Sequence, residues 1–289
     1  LFDLQIKRFH EYKRQLLNAL HLIMVYQELK TDPSSRKVRR ISIFAGKAAP
    51  GYNKAKQILH LITCLARTVH NDPKASDYLS IVFVENYNVT KAEILIPAAD
   101  LSEQISTAGW EASGTGNMKL SINGALTIGT EDGANIEMKQ SIGNAWWPFG
   151  FGATAEANKN TYKRWDIYLQ NTNIQQAINA LKEGIFAQTD KENEVLEQIY
   201  RHLIESDPYR VLQDLPAYYE TQKQVEALFL TPNKWAETAI RNIAGMGPFS
   251  ADESIRNYAN KIWDIAPCPT DPAILSAVRK EYSTANIPR

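Results

Sequence analysis

Residues 79–86 read L-S-I-V-F-V-E-N, a near-continuous apolar run rich in β-branched residues. A strand of that kind needs cover on both faces, which a parallel sheet clothed by helices provides. Residues 41–46 (I-S-I-F-A-G) form a second short run, and 125–130 (A-L-T-I-G-T) a third, ending at Thr130-Glu131-Asp132-Gly133. Helical patterns lie between them. Residues 10–29 place Leu16, Leu20 and Ile23 at i, i+4 and i+7, with Lys13, Arg14 and Asn18 on other faces. Residues 53–70 carry Ile58, Leu59, Leu61, Ile62 and Leu65. After I-L-I-P (94–97), a polar helix is expected over 101–107, a helix or helical turn over 118–123, and a last strand over 145–150. Strands alternating with helices predict right-handed βαβ units and an α/β fold with an open parallel sheet.

From about residue 153 the pattern turns helical, over 174–186, 192–205, 218–229 and 233–243. Ser250-x-x-Glu253 resembles a capping box and opens a final helix running to about Trp263. A-P-C-P-T-D-P then reads as a linker, with a short tail to Arg289. The 289 residues, 44% apolar, suffice for a sizeable core. With 32 basic against 32 acidic residues there is no electrostatic footprint for nucleic acid. No apolar run approaches the roughly 18 residues of a membrane span, so no membrane partner is expected. Only Cys64 and Cys268 are present, in neither a C-x-x-C nor a His-rich context, which favours a reducing cytoplasm and gives metal binding no support. The opening L-F-D-L-Q-I-K-R has no Met and no signal-peptide pattern, as expected for the middle of a longer chain.

The chemistry concentrates in E-A-S-G-T-G-N-M-K (111–119). Ser113-Gly114-Thr115-Gly116 precedes a helical segment, and glycine loops at helix starts let backbone N–H groups approach a phosphate. An ordinary tight turn explains the same residues. The loop matches neither G-x-G-x-x-G nor a Walker loop, which leaves a dinucleotide without support. Lys119 follows by one helical turn and is either a surface charge or an amine for a cofactor carrying an aldehyde and a phosphate, as pyridoxal phosphate does. Shielding by Met118 and Leu120 would depress its pKa and make it nucleophilic. Lys7, Arg8, Lys13 and Arg14 cluster around His10 and Glu11. They form either a solvated helix start or a set of cations that a bound phosphate would stabilise.

The stretch 97–138, P-A-A-D-L-S-E-Q-I-S-T-A-G-W-E-A-S-G-T-G-N-M-K-L-S-I-N-G-A-L-T-I-G-T-E-D-G-A-N-I-E-M, closely resembles the pyridoxal-phosphate region of the α-glucan phosphorylases, the glycogen, starch and maltodextrin phosphorylases. Q-I-K-R-F-H-E-Y-K-R-Q-L-L-N (5–18), A-G-K-A-A-P-G-Y (45–52), E-N-Y-N-V (85–89) and N-I-A-G-M-G-P-F-S-A-D-E-S-I-R-N-Y-A (242–259) match further blocks of that family in order. The resemblance runs from residue 1 to about 265. It implies the C-terminal half of a two-domain GT-B-type glycosyltransferase: a Rossmann-like domain over 1–265, its sheet within about 1–150 and its helical part over about 153–265, then a linker and tail over 266–289.

Pyridoxal 5′-phosphate is the implied cofactor, with Lys119 as its Schiff-base lysine. Gly114, Thr115, Gly116 and Lys7 are implied around the cofactor phosphate, and Tyr87 and Asn88 beside the pyridoxal. Arg8 and Lys13 fall where the family holds substrate orthophosphate. Glu111, Ala112, Ser113 and Gly114 fall where it holds the transferred glucosyl unit. The implied reaction is phosphorolysis of a terminal α-1,4-linked glucose to glucose 1-phosphate with retention, the cofactor phosphate handling the proton. Implied partners are the glucan, orthophosphate, an N-terminal domain of the same protein and a second copy in a homodimer. Without that N-terminal domain the 289 residues are expected to be inactive. The chain departs from the pattern at Asn88, where many members carry Arg, and at Trp110, where they often carry a small or polar residue. Two other readings are a nucleotide-sugar glucosyltransferase of the same architecture and a non-catalytic glucan-binding or regulatory module.

Overall fold

The structure, a computed structural model, describes residues 1–143, 147–160, 162–267 and 271–284, with side chains as far as Lys280. Two compact units divide it, Leu1–Met246 and a second starting at Gly247.

The first unit is built on six parallel strands, β1 (Phe2–Ile6), β2 (Arg40–Ala45), β3 (Leu79–Val84), β4 (Leu101–Gln104), β5 (Leu126–Gly129) and β6 (Phe149–Gly150), in the order β3-β2-β1-β4-β5-β6. Between them run α1 (Gln15–Thr31), α2 (Asn53–His70), the short α3 (Pro73–Ser76), α4 (Val89–Ala98), α5 (Gly116–Ile122) and α6 (Asn135–Ile142). Helices α7 (Arg164–Gln170), α8 (Thr172–Lys182), α9 (Asp190–Glu205), α10 (Val211–Phe229) and α11 (Pro232–Ala244) complete the unit. The chain winds outward from β1 in one direction and from β4 in the other, so strand order reverses between these neighbours. Doubly wound Rossmann-like sheets do this, and they leave a crevice at the carboxyl ends of the two central strands.

Alternation along β1 sorts the two faces. Leu4 and Ile6 join Ala45, Ala99, Leu120 and Ala125 in one apolar cluster, with Leu95 and Ile96 of α4 packed on it. The larger cluster, on the other face, unites α1, α2 and α8–α10 with Phe44, Leu79 and Ile81. Helix α1 is buried nearly all round, from Gln15 to Tyr26 without a break. It is an inner helix, and a face-by-face amphipathic reading of it therefore fails.

Several elements differ from expectation. Residues 101–107 are not a polar helix: L-S-E-Q is β4, buried between β1 and β5. Its polar side chains are matched by partners within the strand and far along the chain. Gln104 Nε2 donates to Ser102 Oγ at 2.9 Å, and Gln222 Nε2 donates to Glu103 Oε1 at 2.6 Å. Burial, with the Asp3 carboxylate adding to it, pushes the Glu103 carboxyl well above the usual range. The opening residues form β1, which sequence reading missed because Asp3 and Gln5 look solvent-facing. Asp3 instead pairs with Arg40 at 2.9 Å and accepts from Ser42 at 3.0 Å.

Helix α1 starts at Gln15, later than expected, after a single 3₁₀ turn, Glu11–Lys13. Helix α10 starts at Val211, well before residue 218, with Pro216 inside it. Of the expected strand over 145–150, Phe149–Gly150 is strand, while 144–146 lie outside the described residues. In the second unit Ser250 Oγ accepts from Glu253 N at 3.1 Å and caps α12 (Ala251–Tyr258), and α13 (Pro272–Thr284) forms where only a tail was expected. Cys268 lies outside the described residues.

Arg14 ties the first unit together. It sits in the left-handed region (φ 55°) and is fully buried. Its guanidinium donates to Asp214 Oδ2 at 2.6 Å, to the Ile105 carbonyl at 2.7 Å and to the Ser106 carbonyl at 3.2 Å. Removing one partner of such a pair strands a buried charge. Asp214→Ala is expected to cost about 3–5 kcal/mol of stability, read as a lowered midpoint in equilibrium urea unfolding. A midpoint unchanged from the parent protein would contradict this.

Candidate active site

A cavity of about 880 Å³ opens where β1 and β4 diverge. Residues following β1 (Lys7, Arg8, Tyr12, Lys13), β4 (Ser106, Glu111, Ser113 to Asn117) and β5 (Thr130, Asp132, Asn135) line it, with Tyr87 and α4 along one side.

The post-β1 segment delivers the cations. Lys7 N–H donates to the Ala45 carbonyl at 2.9 Å, extending the sheet by one residue. Gly46 is obligatory beside it, because a Cβ there would lie 1.9 Å from the Lys7 carbonyl oxygen. Lys7 Nζ is half-buried, and its one hydrogen bond among the described residues is to Gln104 Oε1, at 2.7 Å. Burial, and then the Lys13 charge, bring its pKa down to about 8. Arg8 is exposed at the cavity, and its guanidinium makes no hydrogen bond or ion pair among the described residues. Lys13 Nζ contacts Glu111 Oε2 at 2.7 Å and lies 4.6 Å from the centre of the Tyr12 ring. Burial alone would lower the Lys13 pKa and raise that of Glu111. Their mutual contact outweighs it, so Lys13 is raised and Glu111 lowered.

The loop after β4 is held from three directions. Arg14 grips its first carbonyls. Asp132 Oδ2 accepts the N–H groups of Trp110 and Glu111 at 3.1 and 2.7 Å. Gly133 (φ +52°) passes so close that a Cβ would meet the Ser113 carbonyl at 2.6 Å. Glu111 Oε2 also accepts from Ser106 Oγ at 2.9 Å. Asn135 Nδ2 donates to the carbonyls of Gln104 and Thr130, both at 3.1 Å, and its Oδ1 accepts from Asn117 Nδ2 at 3.0 Å, which aligns the start of α5.

The glycine loop lies at that start, with Gly114 at φ +95°. A Cβ on Gly116 would meet no atom within 4 Å. Lys119 lines the cavity from α5 and is exposed rather than shielded. Neighbouring Leu120 turns into the core and half-buried Met118 does not cover the amine, because successive helix residues point about 100° apart. Tyr87 lines the cavity and packs on the smaller apolar cluster. Asn88 is not among the lining residues. It caps α4 by accepting from Lys91 N at 3.1 Å. Ala112 is exposed and also lies outside the lining.

Sequence reasoning overlooked Gln104, Ser106, Asp132 and Asn135. The last two sit in T-E-D-G-A-N, directly after a strand, where an acidic residue beside a glycine was the available signal. Trp110 is exposed at the surface, stacked on Tyr12 with ring centres 6.3 Å apart and edge-on to Tyr209 at 5.1 Å.

A doubly wound Rossmann-like unit with four cationic side chains around its switch-point cavity narrows the class considerably. The family model described as carbohydrate phosphorylase matches residues 1–265, and the chain belongs to that family. It is 46% identical over 271 residues to the muscle form of human glycogen phosphorylase, covering 92% of this chain and 32% of that protein. To the human brain form it is 45% identical over the same length. It is 44% identical over 292 residues to a glycogen phosphorylase of Synechocystis sp., covering 97% of this chain and 34% of that protein. The chain thus spans about a third of the length of the curated relatives it matches.

The Lys7 ammonium has a neutral amide as its hydrogen-bond partner among the described residues, and an anion bound beside it would restore its ordinary basicity. Only the protonated amine binds, so affinity should fall as pH rises through about 8. Inorganic phosphate titrated calorimetrically at pH 7 and pH 9.5 is expected to bind roughly 30-fold more weakly at the higher value. Lys7→Met should weaken binding at pH 7 and flatten the dependence. An unaltered pH profile in that variant would assign the effect elsewhere.

Proposed function

We propose that the protein carrying this chain is an α-1,4-glucan phosphorylase, which releases terminal α-1,4-linked glucose as glucose 1-phosphate with retention. Family membership and glycogen phosphorylase relatives support the reading. The observation that carries it is the convergence of Lys7, Arg8, Lys13 and Lys119 on one cavity, where the Glu111 carboxylate pairs with Lys13. Reactions that bring two phosphates close need such a concentration of positive charge.

The cavity suits pyridoxal 5′-phosphate. Lys119 offers an exposed amine, the space beside Gly116 is open, Lys7 awaits an anion, and Tyr87, Ile96, Pro97 and Leu120 supply an apolar wall. In this reading Lys119 tethers the cofactor, Gly114, Thr115, Gly116 and Lys7 hold its phosphate, and Tyr87 packs against the pyridoxal. Asn88, committed to its cap, contributes from outside the lining. When bound, the cofactor supplies a phosphate that donates and accepts a proton.

Arg8 and Lys13 hold orthophosphate. Glu111 keeps Lys13 protonated and fixed in place, and Ser106 and two backbone N–H bonds to Asp132 keep Glu111 itself from swinging away. Glu111, Ala112, Ser113 and Gly114 receive the glucosyl unit. Residues 1–265 are read as one cofactor-binding domain and 266–289 as a linker and a tail that carries α13. It works with an N-terminal domain of the same protein, as a cytoplasmic homodimer. Among the described residues no helix is long and apolar enough to cross a membrane.

The test is spectroscopic and chemical together. The purified full-length protein, N-terminal domain included, should show pyridoxal absorbance that borohydride renders covalent at Lys119, and Lys119→Ala should lose both the band and glucose 1-phosphate formation from maltoheptaose and phosphate. Maltoheptaose binding without turnover in a cofactor-loaded protein would instead identify a glucan-binding module.

A further inference from the structure

On the far side of α2 from the sheet, away from the cavity residues, three side chains of metal-ligating type come together at the contact with α9. His60 and Cys64 are four residues apart in α2 and share a face. Glu192 stands in the first turn of α9. A ring nitrogen of His60, the Cys64 Sγ and a carboxylate oxygen of Glu192 all lie within 4.8 Å of one another, the one such group among the described residues. Cys64 is a free, buried thiol, and the His60 imidazole makes no hydrogen bond among the described residues. Glu192 is firmly held. Arg67 donates to its two oxygens at 3.0 and 2.7 Å, and Gln188 N donates at 2.6 Å.

We propose that His60, Cys64 and Glu192 form a zinc site that staples α2 to α9. Thiolate, imidazole and carboxylate together suit a borderline-soft divalent ion without geometric preference, which is zinc. Tetrahedral zinc with ordinary bond lengths sets neighbouring ligand atoms roughly 3.3–3.8 Å apart. The cluster therefore contracts by about 1 Å on binding, taken up by side-chain rotation of the unbonded His60 imidazole while Glu192 keeps its bonds. Both residues are half-buried, so the fourth position faces solvent and takes a water. As the zinc–sulfur bond forms, the Cys64 thiol proton is released to solvent.

Arg67 is the obvious objection, since a guanidinium beside the site repels a cation. It also supports the ligands. Its bonds orient the Glu192 carboxylate as outer-shell partners of metal ligands do. It lies beside Cys64, and its buried Nε–H has no acceptor among the described residues. A thiolate there supplies that acceptor, and the thiolate and carboxylate charges balance the two of zinc.

Cobalt(II) is the probe, because a thiolate ligand gives it an intense charge-transfer band that oxygen and nitrogen ligands do not. Metal-free protein titrated with cobalt(II) should develop this band together with tetrahedral visible absorption. Zinc should displace it and raise the thermal midpoint. Cys64→Ser should abolish the band, Cys268→Ser should retain it, and His60→Ala, which leaves the core untouched, should weaken binding at least about tenfold. Absence of a thiolate band, its survival in Cys64→Ser, or undiminished affinity in His60→Ala would overturn the proposal. None of these readouts depends on phosphorylase activity.

Discussion

The loops that build the cavity are referenced to one guanidinium. Arg14 binds the two carbonyls that follow β4 and the Asp214 carboxylate of α10. Ser106, whose carbonyl it holds, turns its hydroxyl to Glu111, and Glu111 pairs with Lys13, the residue directly before Arg14. The path closes on itself. A shift in any member would be felt by the others, which is how loops with few apolar contacts can be held in register. The left-handed backbone of Arg14 costs about 1–2 kcal/mol, and the charge-assisted bonds it enables outweigh that.

The two sides of the central strands divide the electrostatic labour. On the side of the larger apolar cluster, Asp3 and Glu103 are buried with Arg40 and Gln222, and Glu103 is held towards its neutral form. At the strand ends the balance is reversed. Lys7, Arg8, Lys13 and Lys119 line open space with Glu93, Glu111 and Asp132, of which Glu111 pairs with Lys13 and Asp132 accepts backbone N–H groups. Charge is neutralised where the sheet must pack and left in excess where a ligand can neutralise it.

What could be read from the sequence followed burial. Helix α2 was legible to the residue because a strongly amphipathic helix displays its period, and β2 and β3 were legible as apolar runs. Strands β1 and β4 were not, since Asp3, Gln5, Glu103 and Gln104 are polar and buried. The partners that permit this are remote: Arg40 lies 37 residues from Asp3, and Gln222 lies 119 from Glu103. Within the site, the residues that would touch a ligand were visible as motifs. The ones that aim them, Ser106, Asp132 and Asn135, look like ordinary loop residues until the loops are folded together.

The amino-acid sequence by itself determined the alternation of strand and helix, the glycine loop ahead of Lys119 and the basic cluster, because these depend on local period and residue type. Only the tertiary structure decided that Lys7 is a half-buried cation and Arg14 a buried strut, although both belong to the same basic cluster. It also decided that His60 and Cys64 meet Glu192, more than a hundred residues away in the sequence. The physical reason is shared: the state of a charged or ligating side chain is set by what surrounds it, and its surroundings come from distant parts of the chain.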